Sequence, residues 1–233
     1  MQLFTREWGE GDRVAVLIHG IFSSSGNWQS LGPVLADRGY RAIAVDLPGH
    51  GRSPRAPHYS IDLYADSVLE SVPGHPDLAI GHSLGGLTLA AAVDRLRPAR
   101  AVYVDPAFTA PALPWWQRML AAPFARRLLS SDAAAIAKSN PRWSQADVDA
   151  EAEDFTRFDR KALSFLRGDE MTAPTAMVVP SLLVLADGSR LVGTELADRL
   201  RTLGFEVRVV PGAGHTVNRD DFDGFLKALD GWI

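Results

Sequence analysis

The chain has 233 residues and no cysteine, which excludes disulfides, thiolate metal sites and a cysteine nucleophile together. It also has no apolar run approaching the roughly 18 residues that a membrane-spanning helix requires. The first residues, Met1-Gln2-Leu3-Phe4-Thr5-Arg6-Glu7-Trp8, contain no basic stretch leading into a long apolar one. A cytoplasmic protein without a membrane span is therefore the expectation. No block of Lys or Arg occurs and the net charge is −4, so the clustered positive surface of a nucleic-acid binder is missing. No group of His, Asp and Glu has convincing metal-ligand spacing, and neither a metal nor another cofactor is expected. What is present is ordinary for a globular protein: 46% hydrophobic and 22% charged residues, in a chain long enough to bury one sizeable core. A small neutral or apolar molecule is the partner that suits this balance. Composition does not bear on oligomeric state.

Short β-like runs alternate with amphipathic helical stretches, the pattern of an α/β protein with a mostly parallel sheet flanked by helices. The runs predict strands at Val14 to His19, Arg41 to Asp46, Asp77 to Gly81, Ala101 to Asp105, Leu182 to Asp187 and Phe205 to Val210. Helices are predicted near Trp28 to Asp37, Ile61 to Val72, Leu84 to Leu96, Thr194 to Leu203 and Asp220 to Trp232. Unbroken apolar stretches such as Val14-Ala15-Val16-Leu17-Ile18 fit strands buried on both faces. Gly39 reads as a helix C-cap.

From about Pro106 to Pro174 the alternation stops and the pattern is helical, as in an insertion into a core made of 1–105 and 175–233. The segment 106–174 is balanced in charge. Its apolar members, including Trp115, Trp116, Met119, Phe124, Trp143, Phe155, Phe158 and Phe165, can roof an apolar pocket or simply pack against the body.

The chemistry-bearing segment is Gly81-His82-Ser83-Leu84-Gly85-Gly86, which follows the apolar Leu78-Ala79-Ile80 and precedes a helical stretch. A serine on a sharp strand-to-helix turn is held clear of the sheet, and small neighbours are needed because the backbone there is crowded. Three other motifs accompany it: Leu17-Ile18-His19-Gly20-Ile21-Phe22, Val45-Asp46-Leu47-Pro48-Gly49-His50-Gly51-Arg52-Ser53 and Val210-Pro211-Gly212-Ala213-Gly214-His215. With these four in order, the chain resembles the α/β-hydrolase family along essentially its whole length. The resemblance implies an α/β-hydrolase fold with a helical cap, Ser83 as nucleophile, and His215 as the base on a loop that Gly212 and Gly214 leave free to aim the ring. It also implies an oxyanion hole made of the backbone N–H groups of Ile21 and Leu84.

Those roles are chemically coherent. A serine hydroxyl is a poor nucleophile at neutral pH and needs an imidazole to take its proton. The oxygen of a tetrahedral intermediate needs fixed donors. His19, preceding a glycine at a strand end, is expected to brace the oxyanion loop; His82 fills the variable position of the turn; His50 has a structural place; His58 and His75 are solvated.

The third member of the triad is open between two residues. Most relatives carry an acid in the loop after the strand that runs here from Leu182 to Ala186, where this chain has Ala186-Asp187-Gly188-Ser189, with Ser189 at the usual place of the acid. Some branches, including haloalkane dehalogenases, take the acid from the end of the preceding strand, which is Asp105 in Ala101-Val102-Tyr103-Val104-Asp105. Asp105 is preferred; it can otherwise be a helix N-cap, and Asp187 a turn residue. Dehalogenases and epoxide hydrolases of this fold use aspartate at the elbow, so Ser83 argues against both. A carboxylic-ester hydrolase is expected, with a thioesterase or lactonase using the same steps. A C–C bond hydrolase and a non-hydrolytic ligand-binding protein are the alternatives.

Overall fold

The apolar runs pair into one seven-stranded sheet in a computed structural model, which describes residues 1–109, 131–167 and 171–233, with only the backbone of 165–167. Its strands are β1 (Thr5–Trp8), β2 (Arg13–Ile18), β3 (Tyr40–Val45), β4 (Leu78–His82), β5 (Ala101–Val104), β6 (Ser181–Ala186) and β7 (Glu206–Val210), in the spatial order β1-β3-β2-β4-β5-β6-β7. Every neighbouring pair is parallel except β1 with β3. All residues of β4, β5 and β6 are buried, as strands covered on both faces must be. Alternate residues therefore feed two cores. Val16, Ile18 and Leu183 lie in one, and Ala15, Leu17, Leu182 and Val184 in the other.

The flanking helices are α1 (Leu31–Asp37), α2 (Ile61–Ser71), α3 (Leu84–Leu96), α4 (Ala133–Ser139), α5 (Gln145–Arg157), α6 (Thr194–Thr202), α7 (Val217–Asp220) and α8 (Phe222–Ala228). Side chains at their starts set several boundaries. Ser60 accepts the Leu63 N–H, Asp132 that of Ala135 and Ser144 that of Asp147. Gly39 stops α1 at φ +81°, donating to the Ala36 carbonyl at 2.9 Å.

Three elements differ from expectation. Strand β1 has no apolar run to announce it, because it is a short edge strand; its Trp8 ring covers Gly32 of α1, where any Cβ would lie 2.3 Å from the ring. The helix expected from Asp220 to Trp232 is broken at Asp221, which turns extended (φ −150°) and caps α8 by accepting the Gly224 N–H. The stretch near Trp28 begins as a 3₁₀ turn, Ser25–Trp28, before α1.

Within 106–174 the described residues form α4, α5 and a 3₁₀ run, Arg160–Arg167, with no strand among them. Phe155 and Phe158 are buried, their rings 6.4 and 5.0 Å from that of Phe22. Trp115, Trp116, Met119, Phe124 and the Phe165 side chain lie outside the described residues. Among the described residues no helix is long and apolar enough to cross a membrane.

Candidate active site

The carboxyl ends of β2, β4, β5, β6 and β7 bring the singled-out residues to one edge of the sheet, the usual place for ligands in an open parallel sheet. Ser83 joins β4 to α3 with φ +51° and ψ −115°, a conformation that a side chain adopts only when its surroundings force it. They do so here by close approach. A Cβ on Gly85 would lie 2.2 Å from the Ile18 carbonyl oxygen, and one on Gly81 would lie 2.3 Å from the Gly85 oxygen. The serine's own amide donates to Val104, and its carbonyl accepts from Gly86, Leu87 and Ala107 at 3.0 to 3.1 Å.

His215 follows β7, with its ring half exposed. Its Nε2 is 3.0 Å from Ser83 Oγ and its Nδ1 is 2.7 Å from Asp105 Oδ2. A carboxylate can only accept, so the network assigns the proton to Nδ1 and leaves Nε2 to receive the serine O–H. Asp105 ends β5 at φ +38° with its side chain only 2% exposed. Burial pushes its carboxyl upward, yet the balance falls below the ordinary aspartate value because His215, the Ser189 hydroxyl and the Ala186 N–H all stabilise the charged form.

Asp187 meets the same loop differently. Its carboxylate accepts the Gly212 N–H at 2.9 Å, and its own amide donates to the Ala213 carbonyl at 3.0 Å. Of the two acids that end β5 and β6, Asp105 reaches the imidazole and Asp187 the backbone that carries it. Ser189 is a partner of Asp105.

The loop after β2 abuts the elbow, since a Cβ on Gly20 would lie 3.1 Å from Ser83 Cβ. Neither the Ile21 N–H nor the Leu84 N–H has an acceptor among the described residues. For Leu84 this follows from helix geometry, because the leading amides of α3 have no preceding turn to bond. His19 is buried, with Nδ1 donating to Gly20 O at 2.6 Å and Nε2 accepting the Leu47 N–H at 2.9 Å. It thus ties the loop after β2 to the loop after β3. Burial lowers its pKa to about 4, so the ring is neutral at neutral pH. His50, held by the Pro48 carbonyl, is lowered to about 3 for the same reason.

His82 has more than the filler role expected of it. Its Nε2 lies 3.0 Å from the His215 carbonyl oxygen and its ring is 4.9 Å from the His215 ring, while burial lowers its pKa to about 3. Nothing in the local pattern marks this contact, which spans 133 positions. His58 and His75 are exposed. Among the described residues no group of three or more His, Asp and Glu side chains could hold a metal ion.

Comparison with known proteins adds a family. The model of the alpha/beta hydrolase family matches residues 15–228. A pimeloyl-[acyl-carrier protein] methyl ester esterase of Methylococcus capsulatus is 44% identical over 87 residues, which are 37% of this chain and 33% of that protein. The chain thus matches about a third of that curated relative's length. Among solved structures, a deformylase from Pseudomonas putida S16 superposes with a TM-score of 0.79 at 21% identity, over 97% of this chain and 94% of that one. An E-2-(acetamidomethylene)succinate hydrolase superposes with a TM-score of 0.74 at 26% identity, over 99% and 94%.

Proposed function

The chain belongs to the alpha/beta hydrolase family, and from that membership we propose that it is a serine hydrolase. It cleaves a carboxylic ester, or the related thioester or lactone, of a small and largely apolar substrate through an acyl-enzyme on Ser83. The observation that carries this reading is the continuous chain of hydrogen bonds from Ser83 Oγ through the His215 ring to Asp105.

In this mechanism Ser83 Oγ attacks the substrate carbonyl carbon while its proton passes to His215 Nε2. The oxyanion accepts hydrogen bonds from the N–H groups of Ile21 and Leu84, and one such donor lowers the barrier by about 3 kcal/mol. Asp105 stabilises the imidazolium and keeps the ring in the tautomer that can accept. Collapse of the intermediate transfers the proton from Nε2 to the leaving oxygen or sulfur. A water then gives its proton to His215 and attacks the acyl carbon, and Ser83 is regenerated with release of the acid. Residues 106–174 serve as a helical cap on a core of 1–105 and 175–233. Support for an apolar substrate comes from Ile21 and Phe22 beside the elbow, with Phe155 and Phe158 packed over Phe22. The ester class is also supported by the esterase among the relatives.

The test is hydrolysis of p-nitrophenyl esters, from acetate to long-chain acyl, by wild type and Ser83→Ala together with labelling by a fluorophosphonate. Turnover and labelling should vanish in the variant while the fold persists. Equal turnover in both proteins removes Ser83 as nucleophile. No detectable ester turnover or labelling in either protein moves a ligand-binding protein or a C–C bond hydrolase to the front.

A further inference from the structure

Of the buried charged groups that the mechanism leaves unused, Arg219 is the one cation among the described residues. Arg219 sits four positions after His215 in α7, with its side chain 2% exposed. Its Nη1 lies 2.6 Å from Glu151 Oε2, its Nε 3.5 Å from Asp147 Oδ1, and its guanidinium carbon 4.7 Å from the centre of the Trp143 ring. These partners belong to α5 or to the turn just before it. The two residues flanking Arg219 are also tied outward. Trp143 Nε1 donates to Asp220 Oδ1 at 2.9 Å, and Asn218 Nδ2 donates to the Asn27 carbonyl at 3.0 Å. Asp147 in turn accepts from Gln29 at 3.0 Å, so the same helix touches the segment after the Ile21 loop.

This arrangement answers a mechanical need. The loop before His215 is held by Asp187 at Gly212 and Ala213 and by His82 at the His215 carbonyl, but Gly212 is itself exposed at φ +72° with nothing near the place of a Cβ, and these contacts stop at the ring's own residue. Helix α7 is a single turn of four residues, too short to hold itself. A ring that must stay aligned with both Ser83 and Asp105 therefore needs an anchor on its C-terminal side as well. A buried guanidinium is a poor way to gain stability, because an apolar side chain of similar size fills space without giving up hydration. It is a good way to fix direction, since Nη1 must face Glu151 while the guanidinium carbon lies over the Trp143 ring.

We propose that Arg219 is a positioning residue: paired with Glu151 and lying over Trp143, it clasps the His215 segment to helix α5 and so aligns the imidazole with Ser83. The inference rests on the hydrolase reading for its catalytic consequence, while the clasp itself is a matter of structure. Because α5 lies in the proposed cap, the same contact couples placement of the cap to placement of the base.

The test compares Arg219→Met, Arg219→Lys and Glu151→Gln with wild type in two readouts. The first is kcat and KM on a p-nitrophenyl ester, with the fluorophosphonate labelling rate. The second is hydrogen exchange of residues 213–220. Arg219→Met should lower kcat and the labelling rate about 30-fold with KM within about twofold, as a displaced catalytic group does, and should speed exchange in 213–220 but not in β4 or β5. Arg219→Lys, which keeps the charge but not the planar guanidinium over Trp143, should recover only part of the rate. Should Arg219→Met not fold, Glu151→Gln, which keeps the shape of its side chain, reads the same kcat effect at smaller size. A normal kcat and labelling rate in folded variants, even with a lowered melting temperature, overturns the proposal and leaves a structural staple. Equal labelling of wild type and Ser83→Ala is instead a failure of the hydrolase reading; the clasp is then decided by exchange alone, and unchanged protection of 213–220 in Arg219→Met overturns it.

Discussion

Asp105 at the end of β5 and Asp154 on helix α5 are both buried, yet they are held in opposite senses. Asp105 is lowered below the usual aspartate value although burial opposes it, because the His215 ring, the Ser189 hydroxyl and the Ala186 N–H all point at its oxygens. Asp154 is pushed up to about 7: burial is the largest cause, the charges of Glu151 and Asp46 add to it, and only the Ser24 hydroxyl and the Arg219 charge oppose it. Its Oδ2 has no hydrogen-bond partner among the described residues. The difference shows that burial alone does not set the charge of a carboxyl group; the donors aimed at it do. The edge of a parallel sheet offers free donors where strands end and turns begin. The body of a helix has already used its amides internally, so a carboxyl buried there depends on whatever side chains happen to face it.

Removing the charge on the sheet side should have the largest effect. Asp105→Asn keeps the shape but no longer favours the accepting tautomer of His215, and turnover should fall by about 10⁴-fold, as in other triads that lose the orienting acid. Near-normal ester turnover in that variant would make Asp105 an ordinary buried carboxylate and dissolve the contrast.

The second effect is on stability, and its sign differs between the two acids. Asp154 in the folded protein keeps a proton that the unfolded chain gives up near pH 4, so its contribution is lost as pH rises from about 4 to about 7 and is constant above. One group can tilt stability by at most about 1.4 kcal/mol per pH unit. Asp154→Asn should flatten the profile in that window, gaining more against wild type at pH 8 than at pH 4.5. Urea denaturation at both values measures this, and parallel profiles would mean that Asp154 ionises normally. Asp105 acts in reverse: its contribution is present above the unfolded value of 3.8 and is lost as pH falls through its lowered folded value.

Asp187→Asn should be the mildest change. The side chain is exposed, the amide oxygen can still accept the Gly212 N–H, and surface substitutions of this kind stay within about 0.5 kcal/mol. A loss of turnover comparable with that of Asp105→Asn would transfer the orienting role to Asp187.

The contrast between the two strand ends also marks the limit of what local pattern can say. Apolar runs are enough to place β2 to β6, because burial on both faces leaves little room for polar residues, while β7, Glu206-Val207-Arg208-Val209-Val210, alternates at one edge of the sheet. Strand β1 escapes, since Thr5-Arg6-Glu7-Trp8 pairs at an edge and buries little. Two short helices replace the single one expected near the C-terminus because Asp221 is itself a cap, and a helical period does not reveal that a polar residue has left the helix. The motif around Ser83 is local and carries its own physical reason, since Gly81 and Gly85 have no room for a side chain.

Length, composition, the α/β alternation and the positions of Ser83 and His215 on their turns are determined by the sequence itself, because each depends on residues near one another in the chain. Which of Asp105 and Asp187 faces the His215 ring, the hold of His82 on the His215 carbonyl and the pairing of Arg219 with Glu151 are set only by tertiary structure. Two carboxylates at the ends of adjacent parallel strands look alike in a string of letters. Which one meets the ring depends on the turn that follows each strand and on the path of a loop more than 100 residues from Asp105, and such distances exist only once the sheet has closed.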